Sequence, residues 1–236
     1  SICFSIATGV GKTRLMGAFI AYLHLQKGIQ NFFILAPNLT IYNKLIEDFN
    51  NPSNPKYVFN GIAEFVHNKP VVITGDNYNY VAGLFKESDI RINIFNISKF
   101  NRDISVSNRG AEVGKPPRIK RLSEYLGESY WDYLSKLDDM VLLMDEAHRY
   151  HGTSSAKAIN ELKPVLGLEL TATPIIDEEN QFRNVVYEYS LAQALSDGLY
   201  VKNPTIATRK DFDPRGRSED EIEKIKLEDA VSIHEE

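Results

Sequence analysis

Cysteine is nearly absent from this chain: Cys3 is the only one in 236 residues, which excludes a disulfide framework and a cysteine-based zinc site. Long apolar runs are missing as well. No stretch approaches the length of a membrane span, and no secretory signal is visible. Nor is there an excess of positive charge, since 27 Lys and Arg face 32 Asp and Glu for a net charge of −5. That absence excludes little, because backbone amides and local basic patches also hold phosphates. The expectation from these absences is a soluble, intracellular (cytoplasmic) protein with no membrane partner. What the chain does have is an ordinary globular composition, 43% hydrophobic and 25% charged, enough for a sizeable core in one large α/β domain or two small ones.

The chain also lacks an initiator Met, and Ser1 to Ile6 already read as a core strand. It stops in the charged segment Val231 to Glu236. A piece of a longer protein is expected. Strand signals alternate with helical ones. Residues 1–6 read as a strand, and Lys12 to about Gln26 as a helix ended by Gly28. A buried strand follows at Asn31 to Ala36, stopped by Pro37. Thr40 to Phe49 fits a helix with Ile41, Leu45, Ile46 and Phe49 on one face. Further strands are expected at 71–74, 91–97, 140–144 and 166–170, and short helices around 154–162 and 190–197. This alternation implies an α/β fold, a mainly parallel sheet with helices on both faces.

Residues 101–121 interrupt the rhythm with Gly110, Gly114, Pro116 and Pro117, and from 109 to 121 five bases face one acid. Composition favours a solvated or mobile loop; the sharper alternative is a basic finger on nucleic-acid backbone, using Arg118, Lys120 and Arg121. The tail from 211 to 236, with ten acids against four bases, reads as an exposed amphipathic helix or connector.

Three motifs carry chemistry. After the first strand, Ala7-Thr8-Gly9-Val10-Gly11-Lys12-Thr13 turns sharply into a helix. Glycines let backbone N–H groups approach anionic oxygens, and the new helix presents its positive end to them. Lys12 is placed to reach the β and γ phosphates, and the Thr13 hydroxyl to ligate Mg²⁺. The strict pattern G-x-x-x-x-G-K-[ST] fails, because Ile6 stands at the first glycine's place. Far downstream, the apolar run Met140 to Met144 delivers Asp145-Glu146-Ala147-His148 to a sheet's carboxyl edge. Asp145 is placed to hold Mg²⁺, and Glu146 to orient and deprotonate an attacking water. His148 lies three residues beyond the metal carboxylate, suited to a relay between the nucleotide and neighbouring elements. Leu170-Thr171-Ala172-Thr173-Pro174 follows another apolar strand, and its two hydroxyls, on Thr171 and Thr173, are candidates for bonding His148 or Glu146 and sensing the nucleotide state.

Thr8 to Thr13, Asp145 to His148 and Thr171-Ala172-Thr173, in this order, resemble motifs I, II and III of superfamily-two (DEAD/DEAH-type) helicases. Leu35-Ala36-Pro37-Asn38 resembles motif Ia, and Phe95 to Phe100 a motif Ib region. The stretches Leu35 to Tyr42, Tyr187 to Leu191 and Asp197 to Lys202 resemble a narrower branch, the ATPase (Res) subunit of type III restriction enzymes. The resemblance implies a RecA-like P-loop NTPase fold, with residues 1–206 as the first motor domain and 207–236 as an acidic connector or the start of the next region. It implies ATP and Mg²⁺ as cofactors and nucleic acid, above all double-stranded DNA, as partner, with Asn38, Thr40, Ser98 and Lys99 as candidate backbone contacts; Asn and Ser also serve as helix caps. A modification (methyltransferase) subunit is a further implied partner. The resemblance also implies a second domain that supplies arginine fingers and a nuclease domain beyond residue 236, so that the intact protein is an ATP-dependent endonuclease and the fragment alone is nearly inactive. Two alternatives stay open: an RNA helicase of the same superfamily, and a nucleotide-gated nucleic-acid binding module that switches without sustained hydrolysis. Glu161-Leu162-Lys163 matches an acid-x-lysine nuclease fragment and is read as incidental.

Overall fold

The computed structural model describes residues 1–78, 89–96, 130–150, 159–174, 182, 184–201, 212–213 and 215–235. Ser98, Lys99, the basic stretch 101–121 and residues 151–158 lie outside the described residues. The chain forms two compact units, Ser1–Lys202 and Asn203–Glu236.

The first unit is built on seven strands: β1 (Ile2–Ile6), β2 (Asn31–Ala36), β3 (Val71–Thr74), β4 (Arg91–Asn96), β5 (Val141–Asp145), β6 (Leu166–Thr171) and β7 (Val185–Tyr189). Every pairing is parallel, and the spatial order is β3-β4-β2-β5-β6-β1-β7. A parallel sheet needs cover on both faces, so its central strands are near-continuous apolar runs; β2 and β5 are buried at every position. Alternate side chains feed two cores. On one face Phe32, Ile34, Val141 and Leu143 pack with Met16 and Ile20 of helix α1 (Lys12–Lys27) and Leu45 and Phe49 of α2 (Leu39–Asn50). On the other, Phe33, Leu35, Leu142 and Met144 meet Tyr130, Trp131 and Leu134 of α4 (Tyr130–Ser135). The short α3 (Ala63–His67) adds Phe65 to the first core, stacked on Phe59 with ring centroids 4.3 Å apart.

The expected strands and the helices α1 and α2 lie where the apolar patterns put them, within a residue or two. Gly28 ends α1 in a left-handed conformation, its N–H bonded to the His24 carbonyl. Helix α5 (Leu191–Asp197) opens with a capping box between Ser190 and Gln193 and closes on Gly198, φ 64°. Around the expected helix 154–162, residues 159–161 are helical. Glu161 accepts a hydrogen bond from the Trp131 indole at 3.2 Å, a structural use for half of the acid-x-lysine match. Three elements carried no sequence signal strong enough to place them: α3, α4 and the edge strand β7.

The second unit holds α6 (Glu219–Glu235). Ser218 and Glu221 exchange hydrogen bonds at its start, and acids fill its first turn, where the helix dipole favours them. Among the described residues no helix is long and apolar enough to cross a membrane.

Candidate active site

The strand registers bring three chain segments to one edge of the sheet. Ser5 lies beside Thr171, and Asp145 beside Leu170. The carboxyl ends of β1, β5 and β6 therefore open at the same level, where open α/β sheets take ligands.

At the end of β1 the Ala7 N–H bonds the Tyr189 carbonyl at 2.9 Å, tying the loop's root to β7. The loop then turns at Gly9 (φ 89°) and Gly11 (φ 109°), where a side chain would be strained. Ile6 is the last residue of β1 and is buried. The position where the strict motif has its first glycine is thus a strand residue, with no positive φ to satisfy. Gly11 caps α1, whose first-turn amides are left for a ligand.

Lys12 and Glu146 are 134 residues apart in sequence, and the Lys12 Nζ donates to Glu146 Oε1 at 2.8 Å. Lys12 is 9% and Glu146 18% exposed, so the pair is largely shielded from solvent. Glu146 has φ 50°, a left-handed conformation uncommon for a residue with a Cβ. Its N–H donates to Asp145 Oδ1 at 3.1 Å. Both carboxylates act on one ammonium, Glu146 through its hydrogen bond with Lys12 and Asp145 through the Lys12 charge. Asp145 is 7% exposed. Burial pushes its carboxyl above the usual carboxylate range; the Lys12 ammonium opposes the rise and the Glu146 carboxylate adds to it.

A second cation stands here that the sequence reading did not single out. Lys44, on α2, donates to Thr13 Oγ1 at 3.3 Å, lies 3.4 Å from Asp48 Oδ2, and also helps hold the Asp145 charge. Its only sequence signal is the i,i+4 spacing to Asp48 on a helix that starts at the sheet's carboxyl edge.

His148 sits on a 3-10 turn, Ala147–Tyr150. Its Nδ1 lies 3.1 Å from Thr171 Oγ1, 3.4 Å from Thr173 Oγ1 and 3.6 Å from Glu146 Oε2. Thr171 is fully buried, and its oxygen accepts the Thr173 N–H at 3.1 Å. The second and third motifs are thereby joined through one imidazole. Asn38 caps α2, its side chain accepting from the Ile41 N–H at 2.9 Å; Thr40, in the first turn, is exposed.

Among the described residues no group of three or more His, Cys, Asp or Glu could by itself hold a metal ion. Thr13 and Asp145 nevertheless suit Mg²⁺, which binds through one or two protein oxygens and completes its shell with water and substrate phosphates.

Comparison with known proteins supplies a family. The family described as "Type III restriction enzyme, res subunit" matches residues 1–176. The chain is 26% identical over 167 residues to the probable type III restriction-modification enzyme HindVIP Res subunit of Haemophilus influenzae, covering 68% of this chain and 27% of that protein. It thus spans about a quarter of that relative's length. Among solved structures, the Sulfolobus solfataricus SWI2/SNF2 ATPase core in complex with dsDNA aligns with TM-score 0.45 and 17% identity, over 78% of this chain and 30% of that one. The chain belongs to the family of type III restriction enzyme res subunits.

Proposed function

We propose that this chain binds and hydrolyses ATP as the motor domain of a DNA-acting translocase, within a type III restriction endonuclease. The observation that carries the reading is the Lys12–Glu146 contact, which joins a phosphate-binding loop to a shielded carboxylate from the far half of the unit. Residues Thr8 to Lys12 supply backbone amides and one ammonium to the phosphates. Thr13 and Asp145 would hold Mg²⁺, which neutralises charge on the phosphoryl oxygens when bound. Glu146 leaves Lys12 as the phosphates arrive and accepts the proton of the attacking water. His148 is a positioning residue; with Thr171 and Thr173 it carries the state of Glu146 to the β6 end.

The partners that go with this reading are double-stranded DNA and a modification (methyltransferase) subunit; the relative is named a restriction-modification enzyme. A cytoplasmic setting, where ATP and DNA meet, goes with this reading. Asn38 and Thr40 open α2 at the carboxyl edge of the sheet and are the described candidates for DNA backbone contact, joined by Ser98 and Lys99. Completion of the site by a second motor domain would leave this chain alone nearly inactive.

The test is steady-state ATP hydrolysis by the intact subunit. Glu146→Gln should lower turnover by about 10²-fold or more while ATP still binds, and Lys12→Ala should abolish binding as well. Undiminished turnover in either variant rejects the assignment.

A further inference from the structure

Each of the two groups that suit Mg²⁺ already meets a cation from another element. Lys44, midway along α2, donates to Thr13 Oγ1 at 3.3 Å. Its charge also favours the ionised form of Asp145, beside the larger effect of Lys12. One ammonium, brought from 31 residues beyond Thr13, therefore faces both oxygens that a metal would share. Like charges a few ångströms apart repel, and a divalent ion doubles that repulsion. Lys44 and a metal cannot hold the same pair of groups at low cost.

Lys44 also has a second place to rest. Asp48 stands one helical turn further along α2, its Oδ2 3.4 Å from the Lys44 Nζ. That carboxylate is only 5% exposed and is tied down from the other side. Its Oδ1 accepts from the Asn54 side-chain amide at 3.3 Å, and the Asp48 carbonyl accepts the Val58 N–H at 3.0 Å. Asp48 is thus a fixed anchor, whereas the Lys44 side chain is 51% exposed and has room to swing. A lysine placed only to complete an i,i+4 pair would not reach across to a hydroxyl on α1.

We propose that the Lys44 ammonium holds the Thr13 and Asp145 oxygens against free divalent metal. It yields them only to a metal that arrives with the nucleotide's phosphates, and then rests on Asp48 alone. Phosphate supplies the negative charge that lets an ammonium and a divalent ion stay close. The inference rests on the ATP and Mg²⁺ site proposed above and adds what that site refuses.

The experiment titrates the 236-residue chain with Mn²⁺ alone, the free ion followed by electron paramagnetic resonance, and with MgATP by calorimetry. Lys44→Met should tighten Mn²⁺ binding about tenfold, because a divalent ion doubles the cost of meeting an exposed ammonium. It should leave MgATP binding no tighter than in wild type. Lys44→Arg keeps the charge and should behave as wild type with both ligands. Adding Asp145→Asn to Lys44→Met should abolish the gain, which assigns it to this site rather than to the released Asp48. Equal Mn²⁺ affinity in wild type and Lys44→Met overturns the inference. So does a gain that survives Asp145→Asn, or one of the same size for MgATP. Lys44→Gln, with its polar tip, repeats the measurement if circular dichroism shows that Met disturbs the helix. Failure of the underlying ATP site has a different signature: Lys12→Ala would bind MgATP as tightly as wild type does.

Discussion

At the scale of single residues, the site holds more charge than its burial favours. Asp145 is buried at the end of an all-apolar strand, and its carboxyl is held above its ordinary range chiefly by that burial. A carboxyl whose pKa is raised on folding is held in its charged form less well by the folded chain than by the unfolded one. Its penalty is absent at low pH and grows as pH rises through the folded value. At neutral pH, without metal or nucleotide, Asp145→Asn should therefore raise the melting temperature, because the amide keeps an acceptor for the Glu146 N–H and removes the buried charge. A scanning-calorimetry run in EDTA checks this, and a lower melting temperature would refute it. Glu146 carries backbone strain instead, at φ 50° where a Cβ is unfavourable. The places of Lys12, Asp145 and Glu146 at the sheet edge were legible in sequence because each stands at a motif position at or just beyond the end of an apolar strand. Lys44 was not, because on an exposed helix face a lysine reads as an ordinary solvated charge.

Among the elements, those with a long period or an unbroken apolar run were legible and the short ones were not. β2 and β5 announce themselves by burial on both faces, and α2 by its apolar stripe. α3 has five residues, too few to show a helical period, and α4 exists to press Tyr130 and Trp131 onto the sheet. β7 is exposed along most of its length, so it lacks the apolar signature of its neighbours. Packing also dictates one residue inside α1. A Cβ on Gly17 would stand 2.6 Å from the Val58 Cβ, so the loop after α2 approaches the helix backbone directly. Alanine normally stabilises a helix relative to glycine by about 0.5–1 kcal/mol. Here overpacking, which costs about 1–3 kcal/mol, should outweigh that gain. Gly17→Ala is expected to lower the urea midpoint with an unchanged slope; a raised midpoint would mean the loop gives way freely.

At the scale of the whole molecule, the described residues of both apolar cores belong to the first unit. In the second unit α6 leaves Leu227, Val231 and Ile233 exposed, at 68%, 51% and 52%. A chain ended at Lys202 should thus melt cooperatively at the temperature of the full chain and bind ATP equally well, losing only the helical circular dichroism of α6. A broadened or lowered transition would show that the first unit needs the second.

Cys3 lies at zero exposure in β1, between β6 and β7, with its thiol pushed up to about 11 by burial and by the Glu169 charge. No other thiol competes with it in the chain, so its modification by a thiol reagent is a clock for the opening of one strand. That strand is the root of the phosphate loop. Any ligand the loop grips must be released before Cys3 can react by this route, so the labelling rate should fall by the factor 1 + [L]/Kd. The protein thus carries a native protection assay for whatever its phosphate loop binds, readable by mass and without a catalytic turnover.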